Sequence, residues 1–133
     1  MRMDRAKLQN LAYVVLRIVS GALLSMHGAQ KLFGFLATEA GPAVGSQMWI
    51  GGLIELVCGI LIAVGLFTRL AAFLASGTMA VAYIQFHWKG AMGANLFPIA
   101  NGGELAVIYC FLFLAIAAHG PGMVSLDRLR GKV

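Results

Sequence analysis

Four apolar stretches, each about twenty residues long, occupy most of this sequence and restrict the folds open to it. About 20 apolar residues in an α-helix cross the hydrocarbon core of a bilayer. Only helices and closed barrels satisfy all their backbone polar groups there. We therefore predict an all-α fold with four transmembrane helices, in one integral membrane domain covering residues 1–133. The expected spans are residues 11–30, 48–67, 70–88 and 99–119.

The composition indicates lipid as the main solvent of the folded chain. Charged residues make up 11% of the sequence and the mean hydropathy is +0.86, whereas a soluble domain is about a quarter charged. Basic residues precede the first apolar stretch, as they do in a signal peptide, but no cleavage site followed by a polar chain is evident. We expect the first stretch to be retained as a helix.

The placement of the basic residues predicts the orientation, because cytoplasmic segments of membrane proteins carry an excess of Lys and Arg. Lys31 and Lys89 lie on one side of the expected bundle. The basic residues of the other side are Arg2, Arg5, Lys7, Arg69, Arg128, Arg130 and Lys132. Both termini are therefore expected in the cytoplasm. The net charge of +5 then reflects topology, and we expect no nucleic-acid binding.

Small residues recur at every fourth position in the first three spans, and helices in lipid pack through such residues. The stripes consist of Gly21, Ser25 and Ala29; of Gly51, Gly59 and Ala63; and of Ala72, Ser76 and Ala80. Only Thr68 and Arg69 separate the second and third spans, which predicts a tight hairpin. The expected architecture is an antiparallel bundle of four transmembrane helices.

Ionisable residues inside the spans are the candidate functional groups, because each costs about 2.5–3.5 kcal/mol at the bilayer centre on insertion scales. Glu55 fills the gap in the second stripe, so we expect it to face the bundle interior. It would lie about 10 Å below Met48, at a rise of about 1.5 Å per residue. His27 and Lys31 share one face of the first span at a similar level. We expect Lys31 to neutralise either Glu55 or Glu104.

Together these residues predict a polar pocket that opens to the outer side of the membrane. The end of the third span and the start of the fourth bring further polar residues to the same level. The candidates for ligand binding or proton relay are His27, Lys31, Glu55, Asn101, Glu104 and His87. The alternative, that these residues only fix the packing of the helices, stays open.

Arg17 and Arg69 are assigned structural or charge-pairing roles. Arg17 lies one turn before Gly21 and faces inward, where it either pairs with Glu55 or extends toward the inner interface. Cys58 and Cys110 are assigned to the apolar core, because they show no metal-ligand spacing. We expect no metal site.

The two loops on the expected outer side are apolar. They contain Phe33, Phe35, Leu96 and Phe97. We expect these loops to lie on the membrane surface or to cover the pocket, which suits either an amphipathic small molecule such as a quinone or the docking of another subunit. The basic tail from Gly120 is expected to rest on anionic lipid.

The order and spacing of three segments resemble the DoxX family of small bacterial and archaeal membrane proteins. The segments are LRIVSGALLSMHGAQKLFG, with Arg17, Gly28 and Lys31; GGLIELVCGILIAVGLFTRLAA, with Glu55, Gly59, Gly65 and Arg69; and NGGELAVIYCFLFLAIAAHGPGMVSLD, with Asn101, Glu104, Gly120 and Asp127. The family takes its name from a subunit of an archaeal thiosulfate:quinone oxidoreductase. The resemblance implies a four-helix protein of the prokaryotic inner membrane, linked to quinone or sulfur-compound redox chemistry.

Two functional hypotheses follow. In the first, the protein is the membrane subunit of a quinone-linked oxidoreductase that handles quinones or sulfur compounds. It would not be catalytic alone, because the sequence has no recognisable flavin, iron–sulfur or nicotinamide motif, and a soluble redox partner would supply electrons. In the second, it is a non-enzymatic membrane anchor for a soluble partner, or forms a homo-oligomer.

Two further functions receive little support. Histidines are common axial ligands of haem, but His27 and His87 alone do not lead us to expect haem. Four short spans without broken-helix repeats give no sign of a transporter.

Overall fold

A computed structural model describes residues 4–132, and that part of the chain consists of helices and the turns between them. The all-α expectation is therefore confirmed. The helices are α1 (Arg5–Phe33), α2 (Gln47–Val64), α3 (Thr68–Ala82), α4 (Pro98–Asn101), α5 (Glu104–His119) and α6 (Leu126–Leu129), with a π-helical segment (Tyr83–Trp88) continuing α3 and a 3₁₀ turn (Gly93–Leu96) before α4. Arg2, which was counted on the cytoplasmic side, lies outside the described residues.

Three helical segments are long and apolar enough to cross a membrane: Arg5–Phe33, Gln47–Val64 and Thr68–Trp88. The fourth apolar stretch, expected as one helix over residues 99–119, is interrupted, and its longest continuous part is the apolar helix α5. Gly102 adopts a left-handed conformation (φ 75°) that ends α4, and the Asn101 side chain accepts a hydrogen bond from the Gly103 N–H (2.9 Å).

The connection between α2 and α3 also differs from the expectation. Thr68 and Arg69 are the first residues of α3, and the turn is formed by residues 65–67. Gly65 takes a left-handed conformation (φ 71°) and closes α2 with hydrogen bonds to the last carbonyls of the helix, a common way for a helix to end.

Helices α1 and α2 contact each other backbone to backbone. A Cβ atom added to Gly21 would lie 2.7 Å from the Gly59 carbonyl oxygen, and one added to Gly59 would lie 2.5 Å from the Ser25 nitrogen. At the other end of the pair, Gly28 is equally close to Gly52, with 2.5 Å from the added Cβ to the carbonyl oxygen. Late residues of α1 thus meet early residues of α2, so the two helices are antiparallel.

The observed stripes differ from the predicted ones. The contact face of α1 runs through Gly21, Ser25 and Gly28, and Ala29 lies beside it. On α2, Gly51 faces open space and Gly52 takes its place. The reason is the helical period, since two steps of four residues turn the direction of a side chain by about 80° and a step of seven by only about 20°.

Helices α3 and α5 form a second close pair. The Ser76 hydroxyl donates to the Cys110 carbonyl (2.7 Å), and the Arg69 guanidinium donates to the carbonyls of Ala117 (2.9 Å) and Ala118 (2.6 Å) at the end of α5. The two pairs pack more loosely against each other than the helices do within each pair. The apolar core lies between them and consists of Leu24, Cys58, Ile62, Ala71, Ala72, Ala75, Met79, Tyr109, Phe113 and Ile116.

Large apolar side chains also cover the outside of the long helices. Val15, Ile60, Phe73 and Phe111 are among those that face outward. Soluble proteins rarely expose contiguous apolar surface on this scale, so the outer surface suits contact with lipid.

The residues after α5 fold back onto the helices at one end of the molecule, here called the tail end. Arg17 is 1% exposed and donates to the carbonyls of Pro121, Val124 (2.8 Å) and Ala63 (3.3 Å). The expected pair of Arg17 with Glu55 is not formed, because the guanidinium donates instead to carbonyls at the tail end. A buried guanidinium needs acceptors, and the returning tail supplies two of them.

Asp127 attaches the tail to the start of α3. Its carboxylate accepts hydrogen bonds from the backbone N–H groups of Phe67 (2.8 Å) and Thr68 (2.9 Å) and from the Thr68 hydroxyl (2.9 Å). Burial raises the pKa of Asp127, but these hydrogen bonds and the nearby Arg130 outweigh it and hold the pKa below its ordinary value. The segment expected only to rest on lipid is thus part of the folded structure.

Candidate functional site

At the opposite end, here called the pocket end, Lys31 and Glu55 form an ion pair. The Lys31 Nζ lies 2.8 Å from Glu55 Oε1. The side chain of Glu55 is 5% exposed and that of Lys31 is 29% exposed. Of the two partners expected for Lys31, the structure places Glu55 beside it.

The close contact of α1 and α2 positions this pair. A Cβ atom added to Gly52 would lie 2.9 Å from the Lys31 Cβ, so the stem of the lysine passes over the backbone of α2 where a glycine leaves room. Glu55 follows Gly52 by three residues and lies on the same face of the helix. The glycines that bring the helices together therefore also bring the two charges together.

One oxygen of Glu55 is left over. Oε2 is buried and has no hydrogen-bond partner within residues 4–132. A buried acceptor without a donor costs about 1–3 kcal/mol, and more when it is charged. Such an atom in the wall of a cavity is a candidate acceptor for a hydroxyl group of a ligand or for a proton.

Two cavities adjoin the ion pair. The first, called the α1–α5 cavity, has a volume of about 230 Å³ and is lined by Leu24, His27, Met79, Ala106 and Tyr109 together with Lys31, Glu55 and His87. The second, called the α2–α3 cavity, has a volume of about 270 Å³ and is lined by Gln47, Met48, Gly51, Thr78, Val81 and Phe86 together with the same three residues. Ala82 also lines both cavities, so Lys31, Glu55 and His87 form the wall between them together with Ala82.

Four of the six predicted site residues come together at this wall. His27 joins the three shared polar residues through the α1–α5 cavity, where its ring stands edge-on to that of Tyr109 with 6.2 Å between the centroids. His87 reaches both cavities from the π-helical segment, a type of widened turn that is frequent at functional sites.

Asn101 and Glu104 lie outside both cavities. The Asn101 side chain is used within its own loop, where it donates to the Tyr83 hydroxyl (3.1 Å) and the Asn95 carbonyl (3.1 Å). Glu104 is the first residue of α5 and is exposed. The break at residues 102–103 separates these two residues from the level at which a continuous helix would have placed them.

Tyr109 and Met79 were not predicted as site residues, although they line the α1–α5 cavity and belong to the buried core. Tyr109 stacks on Phe113, with 5.3 Å between the ring centroids. The spacing of Ala106, Tyr109 and Phe113 follows one helical face, and this periodicity was the available signal for a phenol on the inward face of the fourth apolar stretch.

Within residues 4–132, no group of three or more His, Cys, Asp or Glu side chains is arranged to hold a metal ion. Cys58 is buried and Cys110 half-buried, both as free thiols.

Comparison with known proteins gives several relatives. The model of the DoxX family matches residues 12–88, a range that contains Lys31, Glu55 and His87. An uncharacterized protein of Haemophilus influenzae is 46% identical over 115 residues, which cover 84% of this chain and 85% of the relative. The inner membrane protein YqjF of Escherichia coli is 32% identical over 130 residues (95% and 97%), and the inner membrane protein YphA of the same organism is 31% identical over 122 residues (86% and 87%). No solved structure shows a significant match.

Proposed function

The chain belongs to the DoxX family of membrane proteins, and from this premise we propose that it is the membrane subunit of a redox complex that binds a quinone beside Lys31 and Glu55. The observation that carries the proposal is the ion pair in the wall between two cavities, with one carboxylate oxygen unpartnered within the described chain. Intramembrane ionisable residues of this kind commonly mark ligand or proton pathways.

The proposed topology is an antiparallel bundle of four transmembrane helices in the inner membrane, with α5 as the fourth span and both termini in the cytoplasm. The distribution of charge supports it. Arg69 and the basic residues of the tail lie at the tail end, whereas Lys31 and Lys89 lie at the pocket end. The positive-inside rule then assigns the tail end to the cytoplasm and opens the pocket to the outer side.

The chemistry of the wall suits a quinone ring. The Lys31 ammonium would donate a hydrogen bond to one quinone oxygen, while the free oxygen of Glu55 would exchange a proton with the other. Reduction of a quinone to a hydroquinone takes two electrons and two protons. This chain would supply binding and a proton path, and the partner subunit would supply the electrons.

The size of the cavities favours a single ring over a larger group. Pockets for drug-sized ligands measure about 300–1,000 Å³, and these cavities measure about 230 and 270 Å³. A haem would require the two cavities to merge, with loss of the Lys31–Glu55 wall.

The test is purification in lipid nanodiscs with mass spectrometry of the small molecules that remain bound. We expect a retained quinone in the wild type and its loss in Glu55→Ala and Lys31→Ala. Glu104→Ala is the matched control, because it removes a carboxylate at the same end that lies outside both cavities. Equal retention in all variants would contradict the site, and no quinone in the wild type would contradict the function.

A second candidate function, a membrane anchor for a soluble partner, is favoured by the loops at the pocket end. Phe33, Leu36, Met92 and Ile99 are each at least 76% exposed, which is costly in water unless lipid or a protein covers them. In the same purification, a stoichiometric soluble protein without any bound small molecule would support this function over the first.

A further inference from the structure

We infer that the ligand of this site carries a long apolar tail and enters sideways from the bilayer, between α2 and α3, with the tail lying in the α2–α3 cavity. This inference rests on the proposed function, because it takes the polar ring of the ligand to lie against Lys31 and Glu55. It adds the class of substrate, a lipid-soluble quinone with a tail, and the route by which it arrives.

The long helices contact one another to unequal extents. Helices α1 and α2 are joined by backbone contacts at three glycines, and α3 is joined to α5 by the hydrogen bonds of Ser76 and Arg69. The contact between α2 and α3 is less extensive than the contact within either pair, and the α2–α3 cavity lies between these two helices.

The outward side of the α2–α3 cavity is largely apolar. Met48, Val81 and Phe86 line it and are 39%, 45% and 38% exposed, so the cavity reaches the surface of the molecule that faces lipid. The hydroxyl of Thr78, another lining residue, donates to the Leu74 carbonyl of its own helix (2.8 Å). Apart from Gln47, whose side chain is bonded to Gln85, the lining away from Lys31, Glu55 and His87 therefore offers apolar contact, which favours a hydrocarbon chain over a water-soluble molecule.

The α2–α3 cavity differs between its margin toward the loops and its margin deeper along α2. Toward the loops, the side chain of Gln47 at the start of α2 donates to the Gln85 side chain of the π-helical segment, and this bond bridges the gap between the helices. Deeper along α2, a Cβ atom added to Gly51 would meet no atom of the described chain within 4 Å. The Gln47–Gln85 hydrogen bond thus closes the cavity on the loop side, whereas the space beside Gly51 on α2 is free. A ligand tail directed into the bilayer requires this arrangement.

The polar wall is shared between the two cavities. Lys31, Glu55 and His87 line the α2–α3 cavity as well as the α1–α5 cavity. Glu55, which is only 4% exposed and whose Oε2 has no partner within the described chain, belongs to the shared wall. A ring bound there can therefore be continuous with a tail that leaves between α2 and α3.

The test uses two probes with the same ring, 2,3-dimethoxy-5-methyl-1,4-benzoquinone without a tail and the same compound with a decyl tail. Binding to the protein in nanodiscs is followed by the saturable quenching of tryptophan fluorescence. The two tryptophans of the chain lie in the elements next to this cavity, Trp49 in the first turn of α2 and Trp88 at the end of the π-helical segment. The key variant is Gly51→Leu, which fills the cavity while its added Cβ meets open space.

Gly77→Leu is the matched control. A Cβ added there also meets no atom of the described chain within 4 Å, and Gly77 lies on the exposed face of α3, outside both cavities. Both substitutions replace glycine inside a helix with the same residue, so their effects on helix propensity are alike. We expect Gly51→Leu to raise the Kd of the tailed probe at least tenfold and that of the tailless ring less than twofold. Gly77→Leu should leave both within twofold.

The outcomes distinguish a failure of the sideways route or the substrate class from a failure of the proposed quinone site. If Gly51→Leu weakens both probes equally, or neither, the sideways route is refuted while the quinone site stands. If the wild type binds the tailless ring but not the tailed one, the inferred substrate class is refuted. If the wild type binds neither probe saturably, the proposed function falls and the inference with it. Retained binding of the tailless ring by Gly51→Leu also shows that this variant is folded.

Discussion

Replacement of Lys31 by methionine tests the energetics of the wall directly. The substitution keeps a flexible side chain over Gly52 but removes the partner of Glu55. Glu55 is only 4% exposed, so its carboxylate would then be buried without a counter-charge. Breaking a buried ion pair by removing one member costs about 3–5 kcal/mol. The reverse substitution, Glu55→Gln, leaves Lys31 free to turn its 29% exposed side chain to water and should cost about 1 kcal/mol.

The coupling between the two residues follows from their separation. At 2.8 Å, Coulomb's law gives about 6 kcal/mol for an effective dielectric constant of 20 and about 1.5 kcal/mol in bulk water. The partial exposure of Lys31 places the pair between these limits, and we expect a coupling energy of about 2–3 kcal/mol. The double variant Lys31→Met/Glu55→Gln should therefore be clearly more stable than the sum of the single losses implies.

The assay is reversible unfolding in mixed micelles by titration with dodecyl sulfate, which gives a free energy of unfolding for each variant. Lys89→Met is the control, because it removes an exposed lysine at the same end and should change stability by less than about 0.5 kcal/mol. Strictly additive single losses, or a Glu55→Gln loss as large as that of Lys31→Met, would refute the reasoning.

Three further predictions concern the helix contact and the tail. Gly59→Val should cost about 3 kcal/mol in the same unfolding assay, because its added Cβ would lie 2.5 Å from the Ser25 backbone nitrogen. Gly77→Val meets no atom within 4 Å and should cost less than about 1 kcal/mol. Similar losses in the two variants would contradict the packing. The pKa of Asp127 is lowered in the folded protein. Its contribution to the free energy of unfolding is therefore present above the ordinary pKa of 3.8 and is lost as the pH falls through the folded pKa. Stability measured against pH should show this loss in the wild type but not in Asp127→Asn, and parallel curves would contradict the assignment. Arg17→Lys retains the charge but can donate to fewer carbonyls, so the free energy of unfolding should fall by about 1.5–3 kcal/mol per missing hydrogen bond. The tail should then be cleaved faster by trypsin at Arg128. An unchanged cleavage rate would contradict the conclusion that Arg17 fixes the tail to the helices.

The helical elements could be predicted from the sequence because apolar length alone determines them. The hydrophobic runs placed α1, α2 and α3 to within a few residues, apart from the polar first turns of α1. The boundary near residue 99 failed because the apolar pattern outweighed a turn signal, Asn101 followed by two glycines. A left-handed Gly102 ends α4 there, whatever the hydropathy of its neighbours.

The site was only partly accessible from the sequence. Glu55 could be identified because it interrupts a stripe of small residues. The choice of Glu55 over Glu104 as the partner of Lys31 depends on how closely α1 approaches α2, and sequence periodicity does not give distances between helices. The partners of Arg17 were out of reach for the same reason, since all three of its acceptors are backbone carbonyls, which carry no sequence signature.

The hydrogen bonds of Arg17 impose an order of events on biosynthesis. Two of its acceptors, the carbonyls of Pro121 and Val124, lie more than 100 positions later in the chain. The first helix is therefore made before these two partners of its guanidinium have been translated. Until residues 121–124 are made, the guanidinium lacks two of the carbonyls that it binds in the folded protein, and a buried polar group without its partners is costly. The burial of Arg17 is therefore completed only when the last part of the chain has been made and has folded back onto the first helix.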